Sequence, residues 1–165
     1  MIILRHMTDQ DHSVVLAIAA RLPEWFDERA REVAIRVDLR HHRGFVAEVA
    51  GRIVGFITLY VADGRLNIGW LGVDKQHQRH GIGSRLIARA EQAASEMGLE
   101  ELATWTVGDG VNYAPYQGTR VFFQKQGFKV YQKSQTDNPN CPEELRVSKR
   151  IAQKDAPAAA DKTRR

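Results

Sequence analysis

The sequence predicts an α/β (α+β) protein, with one mixed, mostly antiparallel central sheet of about six to seven strands flanked by about four helices. Three observations carry that expectation. Two apolar runs, Phe45-Val46-Ala47-Glu48-Val49 and Ile53-Val54-Gly55-Phe56-Ile57-Thr58-Leu59-Tyr60, flank the turn Ala50-Gly51-Arg52, the spacing of a β-hairpin. An apolar stretch over 66–73, a helix-period stretch over 82–97 and another apolar stretch over 102–107 form a strand, helix, strand unit. Such a crossover makes its outer strands parallel. The length of 165 residues, 43% of them hydrophobic, suits a single core.

Each element has its own signals. Residues 2–6 read as a short strand, and Thr8-Asp9-Gln10-Asp11 supplies N-cap chemistry before Val14, Val15, Ile18 and Leu22 at helical spacing. Pro23 interrupts that helix and Trp25-Phe26 makes an apolar knot. A charged helix over 27–40 then places Ala30, Val33, Ala34 and Val37 on one face. After the hairpin, Asp63-Gly64 marks a turn into the strand over 66–73. Its Gly69 and Gly72 predict a bulge or a close backbone approach, because interior glycine weakens strand pairing. Ile82, Leu86, Ala90, Ala93 and Met97 define an amphipathic helix that Gly98 stops. A loop with Asp109-Gly110 precedes a helix over about 116–126 ended by Gly127, and strands over 128–133 and 145–149 follow. Residues 1–150 read as one domain, and the charged, Ala-rich tail over 151–165 as disordered.

Composition excludes several functions. No apolar run reaches the ~20 residues of a membrane helix, and Arg5 ends the N-terminal apolar run before it resembles a secretory segment, so a soluble, cytoplasmic protein without membrane contact is expected. Cys141 is the only cysteine, which rules out an internal disulfide and suits a reducing compartment. Net charge is +4, and Lys154, Lys162, Arg164 and Arg165 against Asp155 and Asp161 put half of that excess in the tail. The remaining bases are scattered, so no nucleic-acid partner is expected. No metal is expected either, because His41-His42 and the pair His77 and His80 lack a carboxylate or cysteine at ligand spacing.

The most informative stretch is Gln78-Arg79-His80-Gly81-Ile82-Gly83-Ser84, which leaves a strand and opens a helix. A helix N-terminus presents unpaired N–H groups and partial positive charge to an anion. Gly81 and Gly83 would let main chain approach a phosphate, and Arg79 and His80 add side-chain donors. No Gly-Lys-Ser/Thr follows, so this is not a P-loop, and Leu86 stands where a dinucleotide fingerprint needs its third glycine.

In these residues the chain resembles the GCN5-related N-acetyltransferase (GNAT) superfamily, whose signature is Gln/Arg-x-x-Gly-x-Gly/Ala between a strand and a helix. The hairpin with Ile53-Val54-Gly55-Phe56 is similar to that family's second and third strands, and Phe122-Phe123-Gln124-Lys125-Gln126-Gly127-Phe128 to its later Phe-Tyr-x-x-x-Gly-Phe segment. The resemblance implies a sheet splayed between its fourth and fifth strands and acetyl-CoA (coenzyme A) as cosubstrate. Residues Gln78, Arg79, His80, Gly81, Ile82, Gly83 and Ser84 would hold the pyrophosphate. Leu71, Gly72 and Val73 would meet the pantetheine arm, and a backbone N–H near Val73 would face the thioester oxygen.

The implied reaction is transfer of an acetyl group to a primary amine, on a small molecule or a protein, by direct attack through a tetrahedral intermediate. Two departures stand out. The fourth strand carries no carboxylate where family members often place a glutamate, which leaves Glu48 on the hairpin as a candidate base by position. Phe123 replaces the tyrosine that serves as general acid, which leaves Tyr116 as a candidate acid and cofactor contact, with Tyr113 beside it. Trp25, Phe26 and Arg120 are the candidate acceptor contacts, within a frame of residues 24–28 and 134–144. A homodimer is compatible with the resemblance, and a non-catalytic coenzyme A sensor on the same fold is the alternative function.

Overall fold

The computed structural model describes residues 1–153. Seven strands, β1 (Ile2–His6), β2 (Arg43–Val49), β3 (Arg52–Ala62), β4 (Arg65–Val73), β5 (Glu101–Val107), β6 (Lys129–Gln135) and β7 (Glu143–Arg150), build one sheet in the order β1-β2-β3-β4-β5-β7-β6. Every neighbouring pair is antiparallel except β4 with β5, the parallel pair that the crossover demanded. The helices are α1 (His12–Ala20), α2 (Ile35–Asp38), α3 (Ile82–Glu96) and α4 (Ala114–Lys125), with a π-helical turn over Ala30–Ala34 leading into α2.

Strand alternation sends consecutive residues to opposite faces, and each face has its own core. Ile57, Leu59 and Ile68 pack with Leu86 and Ile87 of α3 and with Phe123 of α4. On the other side Val46 and Phe56 pack with Val15 and Ile18 of α1 and with Ile35 of α2. The molecule is thus helix, sheet, helix in section, and the sheet's middle separates two chemically different layers.

The turn before α1 forms as its residues predict. The Asp11 carboxylate accepts the Thr8 N–H at 2.7 Å and two guanidinium bonds from Arg5 at 2.8 and 2.9 Å. Arg5 holds the buried Asp11 carboxyl down at about 2.

Three expectations about helices need correction. The face assigned to the 27–40 helix holds only in part: Ala30 is buried as expected, but Val33 and Val37 point outward, and Ile35 and Leu39 are buried instead. The π turn is the reason. The Ile35 N–H reaches back five residues to the Ala30 carbonyl, and the extra residue rotates everything after it by roughly a quarter turn or more. In α3, Ile82, Leu86 and Ala90 are buried as expected, but Ile87 and Ala94 complete the face and Met97 is exposed. α4 begins two residues earlier than read, because Pro115 is accommodated in its first turn, where a proline needs no N–H partner.

Past β7, Ile151 is buried against the core and its N–H donates to the Glu100 carbonyl at 3.0 Å. The rest of the tail expectation, over 154–165, lies outside the described residues. Among the described residues no helix is long and apolar enough to cross a membrane.

Candidate active site

The site begins as a defect in β4. Opposite β3, Leu59 pairs with Ile68 and Ile57 with Leu71, so Gly69 and Trp70 together face Thr58 as a bulge. Thr58 is completely buried, and its Oγ1 accepts the Trp70 N–H at 2.9 Å, which satisfies the amide that the bulge frees. His42 Nδ1 lies 3.2 Å from the same Oγ1. A side chain at 69 would collide with His42, whose ring atoms lie 2.6 Å from the position of a Cβ, so glycine there is a packing requirement. Gly72 answers a similar need, with the Phe56 ring 2.7 Å from a Cβ position. Both glycines thus do what interior strand glycine predicts.

On its other side β4 parts from β5. Only Leu66 with Leu102 and Asn67 with Ala103 are in register, although both strands continue, and Thr104 Oγ1 makes a last contact to the Ile68 carbonyl at 3.2 Å. Beyond that point the strands splay and a cleft of about 910 Å³ opens between them. Leu71, Gly72 and Val73 form one wall, and Thr104, Trp105 and Thr106 form the other.

The α3 end of the cleft is made of main chain. Arg79 and Gly81 both adopt left-handed φ, 62° and 80°, a conformation that turns successive amides toward one side. Gly81 is the N-cap of α3 and has no side chain to offer, so the first-turn N–H groups have no side-chain cap. Arg79, Gly81, Ile82, Gly83 and Ser84 line the cleft, and Gln78 also lines it while its Nε2 donates to the Val73 carbonyl at 2.9 Å, tying the loop to β4. Gly83 needs a second explanation: a Cβ there would meet Phe122 at 3.3 Å, so glycine also lets α4 pack against α3. His80 is exposed and outside the lining, and His77 takes a place in it instead.

The α1 and α2 end is made of side chains. Trp25 and Phe26 line it, as does Tyr116 near the start of α4. Burial raises the Tyr116 pKa, and Tyr113 and Asp27 push it in the same direction, so its hydroxyl keeps its proton at neutral pH. Phe123 also lines the cleft, held edge-on by Phe122 and Phe128.

Besides His80, two further candidates are not brought to the cleft. Glu48 is held by Arg5 Nε at 2.7 Å near the β1 edge of the sheet, outside the lining residues. Arg120 turns away to the carbonyls of Val107 and Gly108, at 2.9 and 3.1 Å, and pairs with Asp109 at 2.9 Å. It clamps the end of β5.

Sequence reasoning missed Trp70 and Trp105 as cleft residues, whereas Asn138, Asn140 and Cys141 fall within the 134–144 segment of the expected acceptor frame. A signal existed for Trp105: alternation of Thr104, Trp105 and Thr106 sends the indole to the opposite face from two buried threonines. Within the 134–144 segment nothing singled out Cys141, which the loop folds inward and buries. Burial raises its thiol pKa, as does Glu144. Among the described residues no group of three or more His, Cys, Asp or Glu side chains is placed to hold a metal ion.

A mixed sheet splayed after its fourth strand, with a glycine-bearing helix start at the opening, defines the class. The family model described as the acetyltransferase (GNAT) family matches residues 8–128, and the chain belongs to that family. An uncharacterised N-acetyltransferase of Chlorobaculum tepidum is 29% identical over 112 residues, 61% of this chain and 63% of that protein, so the match spans under two thirds of the relative's length. A GNAT-family protein from Desulfovibrio desulfuricans superposes with a TM-score of 0.79 at 18% identity, over 92% of this chain and 100% of its own. The PaiA N-acetyltransferase from Thermoplasma acidophilum, crystallised with coenzyme A, superposes at 0.71 with 19% identity, over 92% and 99%. At such identities the superpositions establish the fold.

Proposed function

We propose that this chain is an acyl-CoA-dependent N-acyltransferase that moves an acetyl group from acetyl-CoA to a primary amine. The observation that carries the reading is the cleft itself, with amides of an uncapped helix start at one end and protonated Tyr116 at the other. The coenzyme A-bound relative of the same fold supports it.

The residues present fit the cosubstrate. Amides over 79–84 and the Arg79 guanidinium suit a pyrophosphate, since Gly81 takes the left-handed φ without strain and leaves the approach open. The β4 main chain over 71–73 lines the path from there into the splay and would hold the pantetheine arm. Acetyl-CoA, when bound, supplies the acyl group as a thioester. Tyr116 Oη holds the proton that the departing sulfur requires. No carboxylate stands on β4, so the amine enters as its neutral fraction, roughly one part in a thousand at pH 7 for a pKa near 10.4, or loses its proton to water.

Phe123 favours one second reading, a coenzyme A-binding sensor, because the family's tyrosine is missing where Phe122 and Phe128 meet the ring edge-on. Thiol release from acetyl-CoA, measured with a panel of amines, separates the two. Amine-dependent release is expected; saturable acetyl-CoA binding without release for any amine would make the chain a sensor.

A further inference from the structure

All three tryptophans of the chain, Trp25, Trp70 and Trp105, line this one cleft. They come from the loop after α1, from the β4 bulge and from β5, segments with no local reason to share a residue type. Trp70 is held rigidly: its indole N–H donates to Asp38 Oδ2 at 2.8 Å, and Phe26 meets the ring edge-on at 5.7 Å. Trp105 keeps 44% of its surface exposed between two buried threonines. A rigid aromatic wall left open to solvent gains most by covering a flat, apolar ligand.

Charge narrows the ligand further. Three carboxylates near this end are engaged within the chain, Glu24 through Oε1 with Lys75, Asp38 with Trp70 and Glu144 with Arg146, and the exposed Glu28 lies outside the lining. Asp27 is the one acidic residue in the lining among the described residues, and its Oδ1 already accepts the Ala30 N–H at 2.8 Å. One counter-charge suits one ammonium, with the aromatic faces adding cation–π attraction. A polyamine, an aminoglycoside or a lysine-rich peptide would bring further ammonium groups that find no second carboxylate in the lining, where Arg29 and Arg79 also stand.

Resting on the acyl-transfer reading, we infer that the acceptor is a monoamine borne on an aromatic group, an arylalkylamine, seated against Trp25, Trp70 and Trp105 with Asp27 as its counter-charge. In the balanced reaction the amine nitrogen bonds to the acetyl carbon, the carbon–sulfur bond breaks, the nitrogen loses a proton and coenzyme A leaves as the thiol.

The test compares 2-phenylethylamine with spermidine, an aminoglycoside and a lysine peptide, at saturating acetyl-CoA, in the wild type and in Trp105→Ala. Because Trp105 is partly exposed, its truncation leaves the core intact, and Trp25→Ala serves as a second variant. 2-Phenylethylamine should have the highest kcat/KM by tenfold or more, and each variant should lose roughly tenfold for it while binding acetyl-CoA normally. A readout independent of turnover is tryptophan fluorescence, which 2-phenylethylamine should perturb saturably and spermidine should not. Spermidine, the aminoglycoside or the peptide equalling 2-phenylethylamine, or full activity of both variants, overturns the inference and leaves acyl transfer standing. Acetyl-CoA binding without turnover of any amine overturns acyl transfer itself, and an unperturbed fluorescence signal in that case overturns the aromatic site as well.

Discussion

The two ends of the cleft are built by opposite means. At the α3 end the proposed phosphate recognition draws on one contiguous segment, residues 78–84, with left-handed φ at Arg79 and Gly81 and no side-chain cap on the helix. At the α1 and α2 end it rests on side chains gathered from the loop after α1, β4, β5, α4 and the β6–β7 loop. A phosphate offers the same oxygens whatever carries it, so main-chain donors suffice. An acceptor has its own shape, and side chains must be recruited to match it. The first end should therefore govern cofactor affinity, and the second should govern rate and choice of amine.

The largest effect that could break this division is expected from Tyr116→Phe. Removing the hydroxyl should lower kcat by roughly 10²–10⁴ and leave acetyl-CoA affinity nearly unchanged, because the proton matters only in the transition state. Phe123→Tyr in that background should recover part of the rate, since Phe123 lines the same cleft. Loss of affinity with kcat preserved would move Tyr116 to the cofactor side of the comparison.

Arg79→Glu is the complementary experiment. The side chain is exposed at the cleft rim, so the fold tolerates reversal of its charge. Acetyl-CoA affinity should fall by about 10- to 100-fold, more at low salt than at high, while kcat at saturation is kept. Equal loss of kcat would mean that the two ends are not separable.

A smaller effect is expected away from both ends. Arg5→Ala should destabilise the protein by about 2 kcal/mol without changing acetyl-CoA affinity, because it strips the buried Asp11 carboxylate of its charged partner. Asp11 is depressed in the folded state, so its stabilisation is complete above the ordinary value of 3.8 and disappears as pH falls through about 2. Denaturant titrations between pH 5 and 2 should show that dependence in the wild type and little of it in the variant. The same experiment sharpens the placement of Glu48: bound to Arg5 and outside the cleft lining, it should become Gln with little loss of rate.

The contrast also explains what was legible. The glycine-bearing start of α3 could be read because its signal is local: two glycines, a basic residue and a helix start in seven positions. The irregularity of β4 could be read from its glycines: Gly69 stands in the bulge, and Gly72 makes room for the Phe56 ring. The face of the 27–40 helix could not, because nothing in its spacing announces a π turn, and one inserted residue exchanges Val33 and Val37 for Ile35 and Leu39. Arg120 and Glu48 looked available because a sequence does not show who will claim a charge. Arg120 was claimed by the carbonyls at the end of β5, and Glu48 by Arg5 across the β1–β2 pair. The convergence of the tryptophans required the strand order itself.

Whether the cleft takes acetyl-CoA can be measured by titration followed by tryptophan fluorescence, because every tryptophan of the chain lines the cleft. A saturable change complete below about 1 mM is expected, competed by free coenzyme A and shifted to higher concentration by Arg79→Glu. A flat signal up to millimolar acetyl-CoA, in a protein shown to be folded, would contradict it.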